Sequence, residues 1–198
     1  HEPQVSERQR RHVDERRRIG RYAADLVDPG DAIFVDCGST TTFFARALAT
    51  RAIKATVVTN CIPVATEFSV AEEIRVILCP GDYVAREGGV YGSAALDFIR
   101  RYTADKAFIG AGGLTVEGAA DADTQSVSIK RVMLERSRRA ILLVDSSKFD
   151  LHQLELIGPL SSVNDVISDR APGPELASAL ANEGVAFHKA ATASSYGS

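Results

Sequence analysis

The residues best placed for chemistry are Asp36-Cys37-Gly38-Ser39-Thr40-Thr41. An apolar run, Asp31-Ala32-Ile33-Phe34-Val35, leads into them, and a helix-like segment, Thr42 to Ala49, leads out. A strand passing through a small, hydroxyl-rich turn into a helix makes an anion cradle. Backbone N–H groups gather at the positive end of the helix dipole, and Ser39, Thr40 and Thr41 add hydroxyls for phosphate oxygens. The chemistry indicated is binding of a phosphorylated small molecule. Ser and Thr are also ordinary helix caps, so the turn alone leaves open the plainer reading of a helix start.

Such a turn needs a sheet and helices to hold it, and the chain supplies both in alternation. Ile33 to Val35, Thr56 to Thr59 and Ile74 to Leu78 read as strands, separated by helical patterns at Thr42 to Ala49 and Ile62 to Ser69. Further strands are expected at Lys106 to Ile109, Ala140 to Val144, Val163 to Ser168 and Val185 to Phe187. Helices are expected between them at Ser93 to Arg101, Val127 to Arg138 and Pro174 to Asn182. This order predicts an α/β fold, an open, mostly parallel Rossmann-like sheet with helices on both faces. The segments Cys79 to Gly92 and Leu154 to Leu160 are less regular and have room for short antiparallel strands or cover loops.

In open α/β sheets ligands collect at the carboxyl ends of the strands. Here those ends carry Asp36 to Thr41, Thr59-Asn60, Pro80-Gly81-Asp82, Gly110 to Gly113 with Asp121 beyond, and Asp145-Ser146-Ser147-Lys148. Glycines allow close backbone approach, hydroxyls and amides suit sugar hydroxyls, and Lys148 or Lys130 offers a cation.

Composition narrows the function classes. With 198 residues, 45% of them hydrophobic, the chain suits one α/β domain with a substantial core. Its longest apolar run, Ala140 to Val144, falls far short of the roughly 18 residues of a membrane span. Residues 1 to 21 are charged and lack an apolar signal core, and the three cysteines have no disulfide-framework spacing, so a cytoplasmic setting is expected. A net charge of −3 and a pI near 5.8 argue against a large basic nucleic-acid surface. Arg8, Arg10, Arg11, Arg16, Arg17, Arg18 and Arg21 are the local exception. Such a run reads as a solvated helix face or a linker, here a connection from something upstream.

Other chemistries have less support. Cys37, Cys61 and Cys79 each follow a strand and are able to meet on one rim, but buried apolar packing is the commoner role, and no metal site is expected. His1, His12, His152 and His188 are scattered and read as surface positions. Gly110-Ala111-Gly112-Gly113 lacks dinucleotide-binding spacing, and no cofactor is expected.

The succession DCGSTT at 36–41, VVTN at 57–60, PGDY at 80–83, YGSAA at 91–95, DKAFIGAGGL at 105–114 and VDSSKF at 144–149 resembles the effector domain of DeoR-type transcriptional repressors. The match runs in order from about Arg16 to Phe187. The resemblance implies the fold of ribose-5-phosphate isomerase, glucosamine-6-phosphate deaminase and the CoA transferases. It also implies a sensor of phosphorylated sugars or polyols, with operator DNA bound only through an N-terminal winged helix-turn-helix absent from this chain. Residues 1–18 would then be the linker helix, 19–189 the effector domain and 190–198 a loose tail. A homodimer or homotetramer is expected, since readers of palindromic sites are usually symmetric.

Carried over by position, the resemblance puts phosphate on Gly38, Ser39, Thr40 and Thr41 and the sugar near Asp36, Asn60, Gly81 and Asp82. Tyr91 and Gly92 would close one side, with Gly112 and Asp145 also on the rim. Lys130 and Lys148 match recurrent lysines and would pair with an anion, although Lys130 also fits a solvated helix position and Asp145 a turn cap. Pro80-Gly81 departs from the Gly-Gly that the family commonly shows there. An isomerase acting on aldose or ketose phosphates is the alternative, with Asp105, Asp121 or Asp123 as its base. Where that resemblance would place a further acidic pair, the chain has Lys106-Ala107-Phe108-Ile109, which favours binding without turnover.

Overall fold

A computed structural model describes residues 12–192, so the expectations for residues 1–11, including His1, Arg8, Arg10 and Arg11, and for 193–198 lie outside the described residues. The core of the molecule is a seven-stranded sheet in the order β12-β11-β9-β6-β1-β2-β3. Its strands are β1 (Ala32–Val35), β2 (Ala55–Thr59), β3 (Ile74–Leu78), β6 (Ala104–Gly110), β9 (Ser137–Leu143), β11 (Asp165–Ser168) and β12 (Ala186–Lys189). Every neighbouring pair is parallel. Parallel pairing buries both faces, and successive side chains alternate between them. Phe34 therefore packs with Val127 and Ile109 on one side, while Ile33 and Val35 pack with Ile19 and Phe44 on the other.

Helices α1 (Val13–Ala24), α2 (Ser39–Ala49) and α3 (Ile62–Glu67) cover one face. Helices α4 (Ser93–Arg100), α5 (Thr124–Glu135) and α6 (Pro174–Asn182) cover the other. The boundary expected at residue 18 falls inside α1, which packs as one piece on the body. Ile19 and Ala23 are buried, and Gly20 lies so close to α2 that a Cβ there would be 2.7 Å from the Phe43 carbonyl carbon.

The irregular segments do form antiparallel strands. Strands β4 (Asp82–Val84) and β5 (Gly89–Tyr91) make a hairpin, and β10 (Glu155–Gly158) adds to a second hairpin of β7 (Gly113–Thr115) and β8 (Gly118–Asp121). The β7–β8 hairpin has no counterpart in the sequence reading. Gly118-Ala119-Ala120 lacks the branched residues that mark strands, and its strand state comes from pairing with β10. Helix α5 begins at Thr124, not Val127, because the Asp123 side chain accepts from the Gln125 N–H at 3.0 Å and caps it. It ends at Glu135, and Ser137 and Arg138 belong to β9, where they extend the ladder with β6.

Candidate functional site

The chain crosses over in one direction from β1 to β3 and in the other from β6 to β12, so the sheet order reverses between β1 and β6. Loops diverge at such a point and leave a crevice beyond the strand ends. Asp36 spans it: its N–H donates to the Phe108 carbonyl at 3.2 Å, and its Oδ2 accepts from the Gly110 N–H at 3.1 Å. Above it lies a cleft of about 50 Å³ lined by Gly38, Ser39, Thr40, Gly112, Lys130, Asp145 and Lys148 among others.

The first turn of α2 faces this cleft. Gly38 caps it in extended conformation, and the Thr42 N–H closes on the Gly38 carbonyl at 3.1 Å. The hydroxyls of this turn have different fates. Thr41 Oγ1 donates to the carbonyls of Asp36 and Gly38, both at 3.1 Å, and Thr42 Oγ1 to Gly38 at 2.8 Å. Thr41 is fully buried, so its hydroxyl braces the turn from within. Ser39 and Thr40 line the cleft, and no hydrogen bond of their hydroxyls is seen among the described residues. These two hydroxyls, with the backbone N–H groups that an α-helix leaves unpaired at its start, are hydrogen-bond donors of the kind that suit an anion.

The floor is a buried charge cluster. Lys130 Nζ lies 2.6 Å from Asp121 Oδ2, 3.3 Å from Asp36 Oδ2 and 3.0 Å from the Gly110 carbonyl. At 4% exposure Lys130 is not the solvated helix residue that its position also allowed. Burial disfavours its charge, but Asp121 and Asp36 outweigh burial and hold the ammonium above its ordinary pKa. Burial pushes the Asp36 carboxyl up, against the pull of Lys130 and the Gly110 N–H. The Asp36 Oδ1 atom is buried without a hydrogen-bond partner.

Asp145, at the end of β9, caps the turn Ser146–Lys148, its Oδ1 accepting from the Ser147 N–H at 3.0 Å and from the Ser147 hydroxyl. Its Oδ2 faces Arg16 Nε at 3.4 Å. Burial alone would raise its pKa, yet Ser147, Arg16 and Lys148 together hold it below the usual carboxylate value. Glu87, from the turn between β4 and β5, and Asp123 and Ser126, from the start of α5, complete the lining. The site thus offers anion donors at one end and carboxylate acceptors for hydroxyl groups at the other.

Several expected residues lie elsewhere. Asn60 Nδ2 donates to the Val90 carbonyl at 3.1 Å and tethers the hairpin. Asp82 pairs with Tyr91 across β4 and β5, and neither lines the cleft. Tyr91 is buried beside Cys37, with burial raising its phenol pKa. Gly81 and Gly92, also outside the lining, have φ of 143° and 101°, and a Cβ on Gly81 would sit 2.5 Å from the Tyr91 carbonyl oxygen. Of the three cysteines two meet: Cys37 Sγ is 2.7 Å from Cys61 Sγ, while Cys79 packs in the opposite core. Contact with Cys61 and burial both raise the Cys37 thiol pKa, which disfavours its thiolate form.

His188 corrects the surface reading, since its ring nitrogens bond Tyr22 at 2.9 Å and Asp165 at 2.8 Å. Asp105 accepts from the Ala32 N–H at 2.9 Å, at the end of β1 opposite the cleft. Arg16 and Glu87 were missed. Arg16 sits in an arginine run that looks uniformly solvated, and only its helical phase relative to the apolar Ile19 and Ala23 marks it as inward. A larger cleft, about 570 Å³, runs between α1 and α2 and is lined by Arg17, Arg18, Arg21, Arg46 and Arg51. Arg46 there is bound to Glu67 at 2.8 Å, and among the described residues this lining includes no helix N-terminus.

The family model of the DeoR C-terminal sensor domain matches residues 11–170. The chain belongs to this family. The glycerol-3-phosphate regulon repressor of Escherichia coli strain K12 is 34% identical over 167 residues, 84% of this chain and 66% of that protein. The HTH-type transcriptional repressor GlcR of Bacillus subtilis strain 168 is 31% identical over 172 residues, 87% of this chain and 66% of that protein. The DeoR sensor domain thus spans just under two thirds of the length of these relatives. Among solved structures, ribose 5-phosphate isomerase A of Methanocaldococcus jannaschii superposes with a TM-score of 0.50 at 19% identity, covering 68% of this chain and 53% of that one. At that identity the likeness is one of fold, and it agrees with the isomerase-like sheet expected from the sequence.

Proposed function

We propose that this DeoR sensor domain binds a phosphorylated sugar or polyol and, within a longer cytoplasmic transcription repressor, alters operator binding by an attached DNA-reading part. The observation that carries the reading is the pair of unpartnered hydroxyls, Ser39 and Thr40, on the first turn of α2 at the reversal point of the sheet. A phosphate group matches that turn, and hydroxyl groups match the carboxylates of Asp121 and Asp145 in the lining, while Asp36 lies buried beneath it. The names of the relatives, one of them a glycerol-3-phosphate regulon repressor, support a small phosphorylated effector.

Binding without turnover is the better reading of the same site. Asp121 is committed to Lys130, Asp123 caps α5 and Asp105 points away, so none of the three stands as a free base. A coupling of roughly 1–3 kcal/mol between effector and DNA would give a useful response. A symmetric dimer or tetramer fits this role.

The test is a thermal-shift screen with sugar and polyol phosphates, their unphosphorylated parents and inorganic phosphate, because a ligand of the native state raises the melting temperature. One phosphate that stabilises the domain while its parent does not supports the reading. A flat response to the whole panel, or steady release of an isomerised product, overturns it.

A further inference from the structure

The cleft between α1 and α2 measures about 570 Å³, inside the range of roughly 300–1,000 Å³ that small-molecule sites occupy. Both of its walls carry arginines: Arg17, Arg18 and Arg21 from α1, and Arg46 and Arg51 from the last turn of α2 and the residues after it. Asp25 is the one acid in this lining among the described residues. A strong positive excess is therefore gathered at one place in a chain whose net charge is −3.

These arginines differ in how far their charge is already met. Arg46 bonds Glu67 with both Nε and Nη2, and its guanidinium lies 5.1 Å from the centre of the Phe43 ring. Arg51 donates to the Ala24 carbonyl at the end of α1 and stands 3.5 Å from Asp25, so it serves that helix end. Arg17 meets Asp14 at 3.6 Å in an exposed pair, of a kind worth little. Arg18 and Arg21 make no hydrogen bond or ion pair among the described residues. Arg21 stands three residues from Arg18 and four from Arg17, so like charges are neighbours on one helical face and repel. Beneath them lie the buried Ala24 and Phe43 and the half-buried Ala47. A cleft lined by one sign of charge over an apolar wall focuses the field and gathers counter-ions.

We propose that this groove is a second anion site, which takes a small molecule with two or more linked phosphates, such as a nucleoside triphosphate. Guanidinium forks match phosphate oxygens, and a chain of phosphates can meet both walls where a single phosphate meets one. The apolar floor suits the part of the ligand that carries no charge. Ala191 and Thr192 bound the groove on a further side, and such a concave space fits a small molecule better than the rod of a DNA duplex. The two clefts share no lining residue, so this inference stands apart from the phosphate-sensor reading above. A polyphosphate seated here bridges α1 to α2 and relieves the repulsion among the α1 arginines, which stabilises the docking of α1.

The test is titration calorimetry on this chain at about 0.15 M salt, with inorganic triphosphate, ATP, adenosine and inorganic phosphate as probes. Inorganic triphosphate and ATP are expected to bind at one site each, and adenosine and inorganic phosphate to give no measurable heat. Arg18→Gln combined with Arg21→Gln should weaken triphosphate binding roughly tenfold or more, as loss of charge-assisted hydrogen bonds does. Without ligand this double variant should melt no lower than the parent, because a like-charge contact has been removed. The single, exposed change Arg21→Glu should weaken binding as well and serves if the double variant fails to fold. Arg100→Gln combined with Arg101→Gln, at the end of α4 on the opposite face, should leave the affinity unchanged. No triphosphate binding by the parent, unchanged affinity in the Arg18 and Arg21 variants, or an equal loss in the Arg100 and Arg101 variant overturns the inference. Tighter binding of a short DNA duplex, lost in the same Arg18 and Arg21 variants, also overturns it and makes the groove a nucleic-acid surface instead.

Discussion

Lys130 Nζ sits 2.6 Å from Asp121 Oδ2, joining the middle of α5 to the end of β8 beneath the cleft. Both side chains are more than nine-tenths buried, and Asp36 stands 3.3 Å away on the other side of the ammonium. Two carboxylates and one lysine therefore share a desolvated pocket, and the lysine is what allows the acids to be there.

Replacing Lys130 with Met should leave that pair of acids without a counter-ion. Breaking a buried ion pair from one side costs about 3–5 kcal/mol, and a loss of that size is expected in urea denaturation. A loss below about 1 kcal/mol would mean that water reaches the cluster in solution.

Thr40→Ala should separate binding from folding. No protein partner takes the Thr40 hydroxyl among the described residues, so stability should change by no more than about 0.5 kcal/mol. Affinity for the phosphate that stabilises the parent domain should fall roughly tenfold, the value of one hydrogen bond to a charged group. Thr41→Ala should do the reverse, lowering the melting temperature first, because Thr41 Oγ1 serves the carbonyls of Asp36 and Gly38.

Asp165 should give the domain an acid-sensitive joint. Its carboxylate accepts from Arg139 Nε at 2.8 Å and Nη2 at 2.9 Å and meets His188 Nε2 at 2.8 Å. Burial works against its charge, but Arg139 and His188 prevail and lower its pKa below the ordinary 3.8. A carboxyl depressed in the folded state adds stability that is fully present above 3.8 and is lost as pH falls through the lower folded value. Asp165→Asn should thus cost roughly 1.5–3 kcal/mol near neutrality, with the difference closing in melts carried out progressively below pH 3.8. A difference that stays constant across that range would exclude Asp165 as the titrating group.

Gly20→Ala should destabilise although alanine is the better helix former. Helix propensity favours the change by about 1 kcal/mol. Against it, a Cβ would stand 2.7 Å and 2.8 Å from the backbone of Phe43 and Phe44, an overpacking that costs about 1–3 kcal/mol. A lower melting temperature is expected, and a higher one would show that α1 does not dock on α2 in solution.

Much of the frame was legible because its signals are local. Each of the seven sheet strands was expected within a few residues of its observed place, since short apolar runs rich in branched residues, bounded by turns, mark a buried strand wherever it pairs. The β7–β8 hairpin was not, because Gly118-Ala119-Ala120 has no strand signal and depends on β10, far along the chain. On the candidate site, the turn from Gly38 to Thr41 and the positions of Lys130 and Lys148 could be read from the motif order. Asn60, Asp82 and Tyr91 were grouped with them by strand order, yet the hairpin that follows β3 folds these residues away from the lining.

By itself the sequence determined the alternation of strands and helices, the family, and the hydroxyl-rich start of α2, because periodicity, turn chemistry and motif order need only neighbours along the chain. Tertiary structure alone decided which hydroxyls of that turn remain for a ligand, that Lys130 is neutralised by Asp121 and Asp36, and that Arg16 leaves its arginine run to meet Asp145. Those outcomes turn on burial and on pairs of charges brought together from distant segments. A charged residue looks the same in sequence whether water or a carboxylate surrounds it, and the folded chain is what supplies one or the other.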